Sequence, residues 1–313
     1  MTYPPPEYRD FGQPGTPPPG YGGYGPPGTP PPGYGYLVPA PPTFGANDPL
    51  VTSPAEGFGG WFSRVFAVLG RSWKSILLIS WVTFGVPVAV LAVVLGLTLD
   101  QAVVVPAPGS QQTPTFDGAA LGTFFVIVLV AAVVGGYLTA AAQAATVWTV
   151  TRQAAGRPAP LGAALTYGFA NGVRLFGWSL LFGLMVGAGI CACIVPGIYL
   201  GVAGCLYLPV ALYRRGMSPI STSFSLVNKN FWAALGRMLL LLVMVYGVQL
   251  VLSVPGQIVS RGSRVGGVVV SVVVELITAP LALVLTVGTV VLFAELWNRR
   301  MPTSTAELDA ALS

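Results

Sequence analysis

The apolar positions of this chain gather into six long runs, at 75–99, 121–147, 175–195, 197–213, 231–254 and 266–297. A membrane-crossing helix needs about 20 predominantly apolar residues, and each run is near that length or beyond it. Residues 175–213 taken as one helix would extend roughly 58 Å, about twice a hydrocarbon core of ~30 Å. The chain must turn inside this stretch, and Pro196-Gly197 is the predicted turn, whether the two halves cross fully or form a re-entrant hairpin, two options that end on the same side. The last run, roughly 48 Å as a helix, is too short for two crossings and a loop. Pro280 inside it therefore predicts a kink, not a break.

A second pattern is laid over the first. Phe66, Arg71 and Trp73 precede run one, Phe169, Arg174 and Phe176 begin run three, and Phe224, Lys229 and Phe231 begin run five. Each reads Phe-x4-basic-x-aromatic. The residues leading in are amphipathic at helical spacing: Phe62, Val65, Phe66, Leu69 and Trp73 in the first, Ile220, Phe224, Val227 and Phe231 in the third. Such stretches predict helices lying in the membrane interface. The even runs end on an aromatic anchor followed by arginine: Trp148 and Arg152, Tyr213 and Arg214, Trp297 and Arg299. The predicted fold is all-α and integral to the membrane. Six transmembrane helices form three hairpins, each preceded by an interfacial amphipathic helix. The predicted segments are a tail at 1–52, a membrane domain at 53–300 and a short cytoplasmic segment at 301–313.

Composition sharpens this picture. Charged residues are 8% of the chain and hydrophobic ones 54%, against about 25% charged in soluble domains. The net charge of +5 does not point to nucleic acid, because the basic residues sit at the ends of apolar runs. With the first residues inside, 13 Lys and Arg fall on the cytoplasmic side and only Arg261 and Arg264 outside. That bias predicts an even number of crossings of the plasma membrane, with both ends cytoplasmic. The opening residues lack a basic region followed by an apolar one, so no cleavable signal peptide is expected.

The tail is of another kind. GTPPPGYG occurs at 15–22 and again at 28–35. Proline supplies no N–H and glycine has much backbone entropy to lose, so the segment is expected to be disordered with local polyproline II. Pro-Pro-x-Tyr recurs at Tyr8, Tyr21 and Tyr34. Aromatic-lined grooves read such motifs; a low-complexity spacer produces the same match by composition alone.

Chemistry is sparse. There is no histidine, which removes imidazole bases and the commonest metal ligand. No phosphate loop, dinucleotide fingerprint or metal-helix motif appears, so no enzyme activity, cofactor or metal is expected. Cys191-x-Cys193 lacks a third soft ligand nearby. Cys191 and Cys205 end the rows Gly183–Gly187–Cys191 and Gly197–Gly201–Cys205, where small side chains let helices approach, and are read as packing residues. Arg237 is expected to snorkel outward, and Glu295 and Arg299 pair at i, i+4. The candidate intramembrane polar site is Glu275, about ten residues into the last run, with Gln249 midway along the fifth. Two readings compete: a polar pathway, or a neutral carboxyl hydrogen-bonded to Gln249 or a carbonyl that helps helices pack.

Residues 196–236, PGIYLGVAGCLYLPVALYRRGMSPISTSFSLVNKNFWAALG, resemble the central signature of a broad bacterial membrane family, and residues 277–300, ITAPLALVLTVGTVVLFAELWNRR, are similar to its last span. That family includes the membrane domain attached to some glycerophosphodiester phosphodiesterases. The whole layout resembles the proline- and glycine-rich transmembrane proteins of actinobacteria, mycobacteria included. The resemblance covers about 58–300 and implies architecture, not diesterase activity, for which the chain has neither room nor histidines.

The function expected is that of a non-catalytic membrane scaffold or recruitment factor. Its partners would be the bilayer and proteins met through the tail, not nucleic acid. The alternative is a carrier or lipid-handling protein using the polar residues of the last two spans, with Pro87, Pro209 and Pro280 bending its helices.

Overall fold

The computed structural model describes residues 48–52, 56–85, 87, 90, 91, 93, 94, 103, 104, 115, 116, 118–262 and 264–313. The Pro-Gly-Tyr repeats, with Tyr8, Tyr21 and Tyr34, lie outside them. The described residues form α1 (Gly57–Ser80), which runs into a π-helical turn at Trp81–Gly85, and then a two-residue ribbon of β1 (Val103–Val104) antiparallel to β2 (Thr115–Phe116). There follow α2 (Gly118–Ala154), α3 (Leu161–Ala192), α4 (Ile194–Ala203), α5 (Tyr207–Tyr213), α6 (Pro219–Val227), α7 (Phe231–Gly262), α8 (Arg264–Asn298) and α9 (Thr305–Ala310). Six helical stretches are long and apolar enough to cross a membrane: Gly57–Thr83, Gly122–Ala154, Leu161–Ala192, Ile194–Tyr213, Pro219–Val259 and Val272–Asn298. This is the make-up of a multi-pass membrane protein.

Several helices exceed what one crossing needs. At 1.5 Å per residue α2 is about 55 Å long, α8 about 52 Å, and α3 and α7 about 48 Å, against a core of ~30 Å. Burial differs sharply between their ends. At the distal end, Phe125, Leu129, Leu184, Val251 and Val273 present bare apolar side chains. At the other, basal end, nearly every residue of α8 from Val287 to Trp297 is buried on all sides, as are Ala140–Ala142 and Ala144–Ala145 of α2. There Tyr213 stacks on Phe293 with centroids 5.4 Å apart, Phe293 on Trp297 at 5.6 Å, and the Tyr213 hydroxyl meets Thr151 Oγ1 at 2.6 Å. Higher up, the Trp81 indole donates to the Leu276 carbonyl at 2.6 Å, fixing α1 along α8.

Several expectations are corrected. The turn between the third and fourth spans falls at Cys193, which is extended and separates α3 from α4, not at Pro196-Gly197. Pro196 stands in the first turn of α4, where a missing N–H costs no helical bond. Gly197 serves close packing instead: a Cβ there would come 2.3 Å from the Ile190 side chain and 2.8 Å from its backbone nitrogen. The small-residue rows are also misplaced. Gly183, Gly187 and Gly201 face open space, Cys191 is exposed, and the close approach is made by Gly189 against Gly197.

The separate interfacial helices are present only in part. α1 and α3 run unbroken through the first two amphipathic stretches, and only the third forms a helix of its own, α6. In α1 the buried stripe is Trp61, Val65, Val68, Ser72, Ile76 and Ile79, while Phe66 and Trp73 are exposed. α8 runs on through Pro280 without a break, and Pro209 lies in the first turn of α5.

Residues 48–52, assigned to the tail on sequence, are packed against the body: Leu50, Val51 and Thr52 are fully buried. The Asp48 carboxylate holds them to the far end of the described chain. It accepts from the Leu50 and Val51 amides at 3.0 and 2.9 Å, from the Thr305 amide at 2.9 Å and from the Thr305 hydroxyl. α9, started by a Ser304/Glu307 capping box, docks through Leu308 and Leu312 and an Asp309–Arg157 ion pair at 2.8 Å.

Candidate functional site

The fourth span is broken in two. α4 stops at Ala203, and α5 begins at Tyr207 after a turn over Gly204–Leu206. Pro209 has no N–H to offer the Cys205 carbonyl, so a continuous helix would lose a bond here. Gly204 lies under the Phe182 ring, where a Cβ would come 2.2 Å from a ring carbon. Breaking a helix inside apolar surroundings strands backbone groups, and these must be satisfied internally. Ser223 of α6 does this: its hydroxyl donates to the Ala203 carbonyl at 2.8 Å and accepts from the Leu206 amide at 3.0 Å, fully buried.

Beside the break is a cavity of about 280 Å³. α8 gives it Glu275, Thr278, Ala282, Thr286 and Thr289, which lie at i, i+3, i+7, i+11 and i+14 on one helix face. α7 adds Tyr246 and Gln249, α2 adds Gln143, and the broken span adds Cys205 and Tyr207. Glu275 lies about 16 Å along α8 from Arg264, and Thr289 about 21 Å further on, so the polar row is long. Tyr207 is committed to Ser179 by a 3.0 Å hydrogen bond, and Thr289 to the Thr286 carbonyl at 2.8 Å. The Glu275 carboxyl and the amides of Gln143 and Gln249 make no hydrogen bond or ion pair with another described residue. The structure thus brings Glu275 and Gln249 to one cavity but does not bond them to each other.

A second cavity, about 390 Å³, lies between Pro87, Val90, Leu91 and Val94 on one side and α2 on the other, with Val126, Val130 and Val134 among its apolar walls.

At the basal end Arg237 does not snorkel. It is 3% exposed and donates to Glu295 Oε2 at 2.7 Å, over the Trp61 ring at 5.7 Å. Glu295, 1% exposed, takes its expected partner Arg299 on Oε1 at 2.8 Å. Arg299 reaches on to Asn230 at 2.9 Å. This triad ties α7 to α8 and is structural.

Sequence reasoning missed Gln143, Tyr207, Thr286, Thr289 and Ser223. The threonines carried a signal, since Glu275, Thr278, Thr286 and Thr289 keep helical register along one run. Ser223 carried none.

Compared with protein-family models, with curated proteins and with solved structures, the chain matches none.

Proposed function

We propose that this protein is a non-catalytic carrier of the plasma membrane that takes up a small polar or amphiphilic molecule in the cavity beside the broken span. One observation carries the reading: a cavity whose carboxyl and two amides have no partner among the described residues adjoins a helix break. Polar groups within a membrane are costly and mark pathways, and discontinuous helices at mid-depth form the binding sites of many carriers. With Arg261 and Arg264 outside, in keeping with the positive-inside count, Glu275 falls near half the depth of a ~30 Å core. Both ends of the described chain are then cytoplasmic, and the basal core faces the cytoplasm. The likeness to proline- and glycine-rich actinobacterial membrane proteins fits this architecture and carries no reaction with it.

The scaffold reading rests on the tail motifs at Tyr8, Tyr21 and Tyr34.

One experiment separates the two. Ala282→Phe puts a ring into the cavity at an exposed lining position. It should leave insertion and thermal stability in detergent intact yet fail to complement a deletion strain, while a chain lacking residues 1–47 should complement it. The reverse pair of results would establish recruitment through the tail and sink the carrier.

A further inference from the structure

Glu275 is the only charged side chain among the described residues lining the polar cavity. α2 offers an amide, Gln143; the broken span offers a thiol and a phenol, Cys205 and Tyr207; α7 offers a phenol and an amide, Tyr246 and Gln249; the rest of the α8 face offers hydroxyls. Among the described residues no lysine or arginine lines the cavity. A carboxylate in such surroundings is costly unless it is protonated or meets a cation. Tyrosine rings and amide oxygens are the groups that stabilise a desolvated cation, and the cavity holds both.

We infer that the cavity binds a small organic cation, a primary amine or a quaternary ammonium, against the Glu275 carboxylate, and that an amine enters in exchange for a proton. This rests on the carrier reading and names its substrate class. Size follows from volume. A cavity of about 150 Å³ holds benzene, so one of about 280 Å³ accepts a molecule of roughly ten to twelve non-hydrogen atoms. The exchange balances: the neutral carboxylic acid gives up its proton to water as the ammonium binds, leaving a carboxylate–ammonium pair with no net change of charge in the site. Release of the amine on the other side lets the carboxyl take a proton again. An anion finds no counter-charge here and is repelled. Because the bound form needs the carboxylate, apparent affinity for an amine rises with pH through the carboxyl's titration, as long as the amine stays protonated.

The test uses three probes of similar shape and different charge on the full chain in lipid nanodiscs: 2-phenylethylamine, 2-phenylethanol and 3-phenylpropanoate. Calorimetry in buffers of different ionisation enthalpy should show the amine binding at least tenfold more tightly than the alcohol, with proton release. The acid should bind more weakly than either. Glu275→Gln should bring the amine down to the level of the alcohol and leave the alcohol unchanged. Equal binding of the acid, amine binding without proton release, or amine affinity untouched by Glu275→Gln would overturn the inference. If the alcohol or the acid binds best and Ala282→Phe abolishes it, the carrier reading survives with the wrong charge assigned. If Ala282→Phe affects none of the three, both readings fall together.

Discussion

Glu295 accepts from Arg237 on one oxygen and from Arg299 on the other, with the carboxylate and Arg237 both almost wholly enclosed. Removing one member of such a pair strands a buried charge, which costs about 3–5 kcal/mol, whereas replacing both by apolar residues of like volume is often neutral. Arg237→Ala is therefore expected to lower the thermal unfolding midpoint in detergent sharply. Arg237→Met with Glu295→Leu should recover most of the loss, since Arg299 is partly exposed and can turn to water. A double variant as unstable as the single one would contradict this account. One of the triad's two ion pairs was legible in the sequence. Glu295 and Arg299 share a helix face four residues apart, while Arg237 is 58 residues away, and only the packing of α7 on α8 brings it near. The same holds for Glu275. Its oddity shows in any reading of the last run, but Gln143 becomes part of its site only because α2 passes the same space.

Among the elements, the broken fourth span depends most on a single distant side chain. Ser223→Ala leaves the Ala203 carbonyl and the Leu206 amide without partners in a buried setting, a loss of about 1–3 kcal/mol. Hydrogen exchange should read it locally: the Leu206 amide should exchange faster, with the amides of α7 unchanged. Unaltered exchange at Leu206 would mean that α6 does not hold the break. A break in the chain could be inferred from length alone, since one helix of 175–213 cannot fit a bilayer. Its turn could not be placed, because proline fits the first turn of a helix as well as a loop, and Cys193 has no residue-type mark of extended backbone. The amphipathic stretches misled for a related reason. Apolar periodicity does not say what covers a face, and in α1 protein covers one stripe while Phe66 and Trp73 on the next are exposed.

For the molecule as a whole, the positive-inside count gives an orientation open to direct measurement. With the native cysteines replaced, Ser110→Cys and Ser263→Cys should react with an impermeant maleimide on intact cells, and Ser313→Cys only after permeabilisation. Labelling of Ser313→Cys from outside would invert or recount the spans. The number of spans and the class of fold were readable because burial in lipid demands long apolar runs and nothing else supplies them. What the basal ends do was not. Helices about 50 Å long look like spans with generous margins, and only their all-round burial reveals a packed core at one end.

The Asp48–Thr305 clasp has a bearing on biogenesis. Asp48 is translated ahead of all six spans and Thr305 behind them, at a separation of 257 residues. The clasp can close only after the last long helix has been synthesised. It also needs both residues on one side, which a chain that skipped or reversed a single crossing does not achieve. A misthreaded molecule would leave Leu50, Leu308 and Leu312 bare to water, the kind of surface that chaperones and membrane proteases grip. The clasp thus ties the start of the described chain to its end, and it forms only where the two lie on one side.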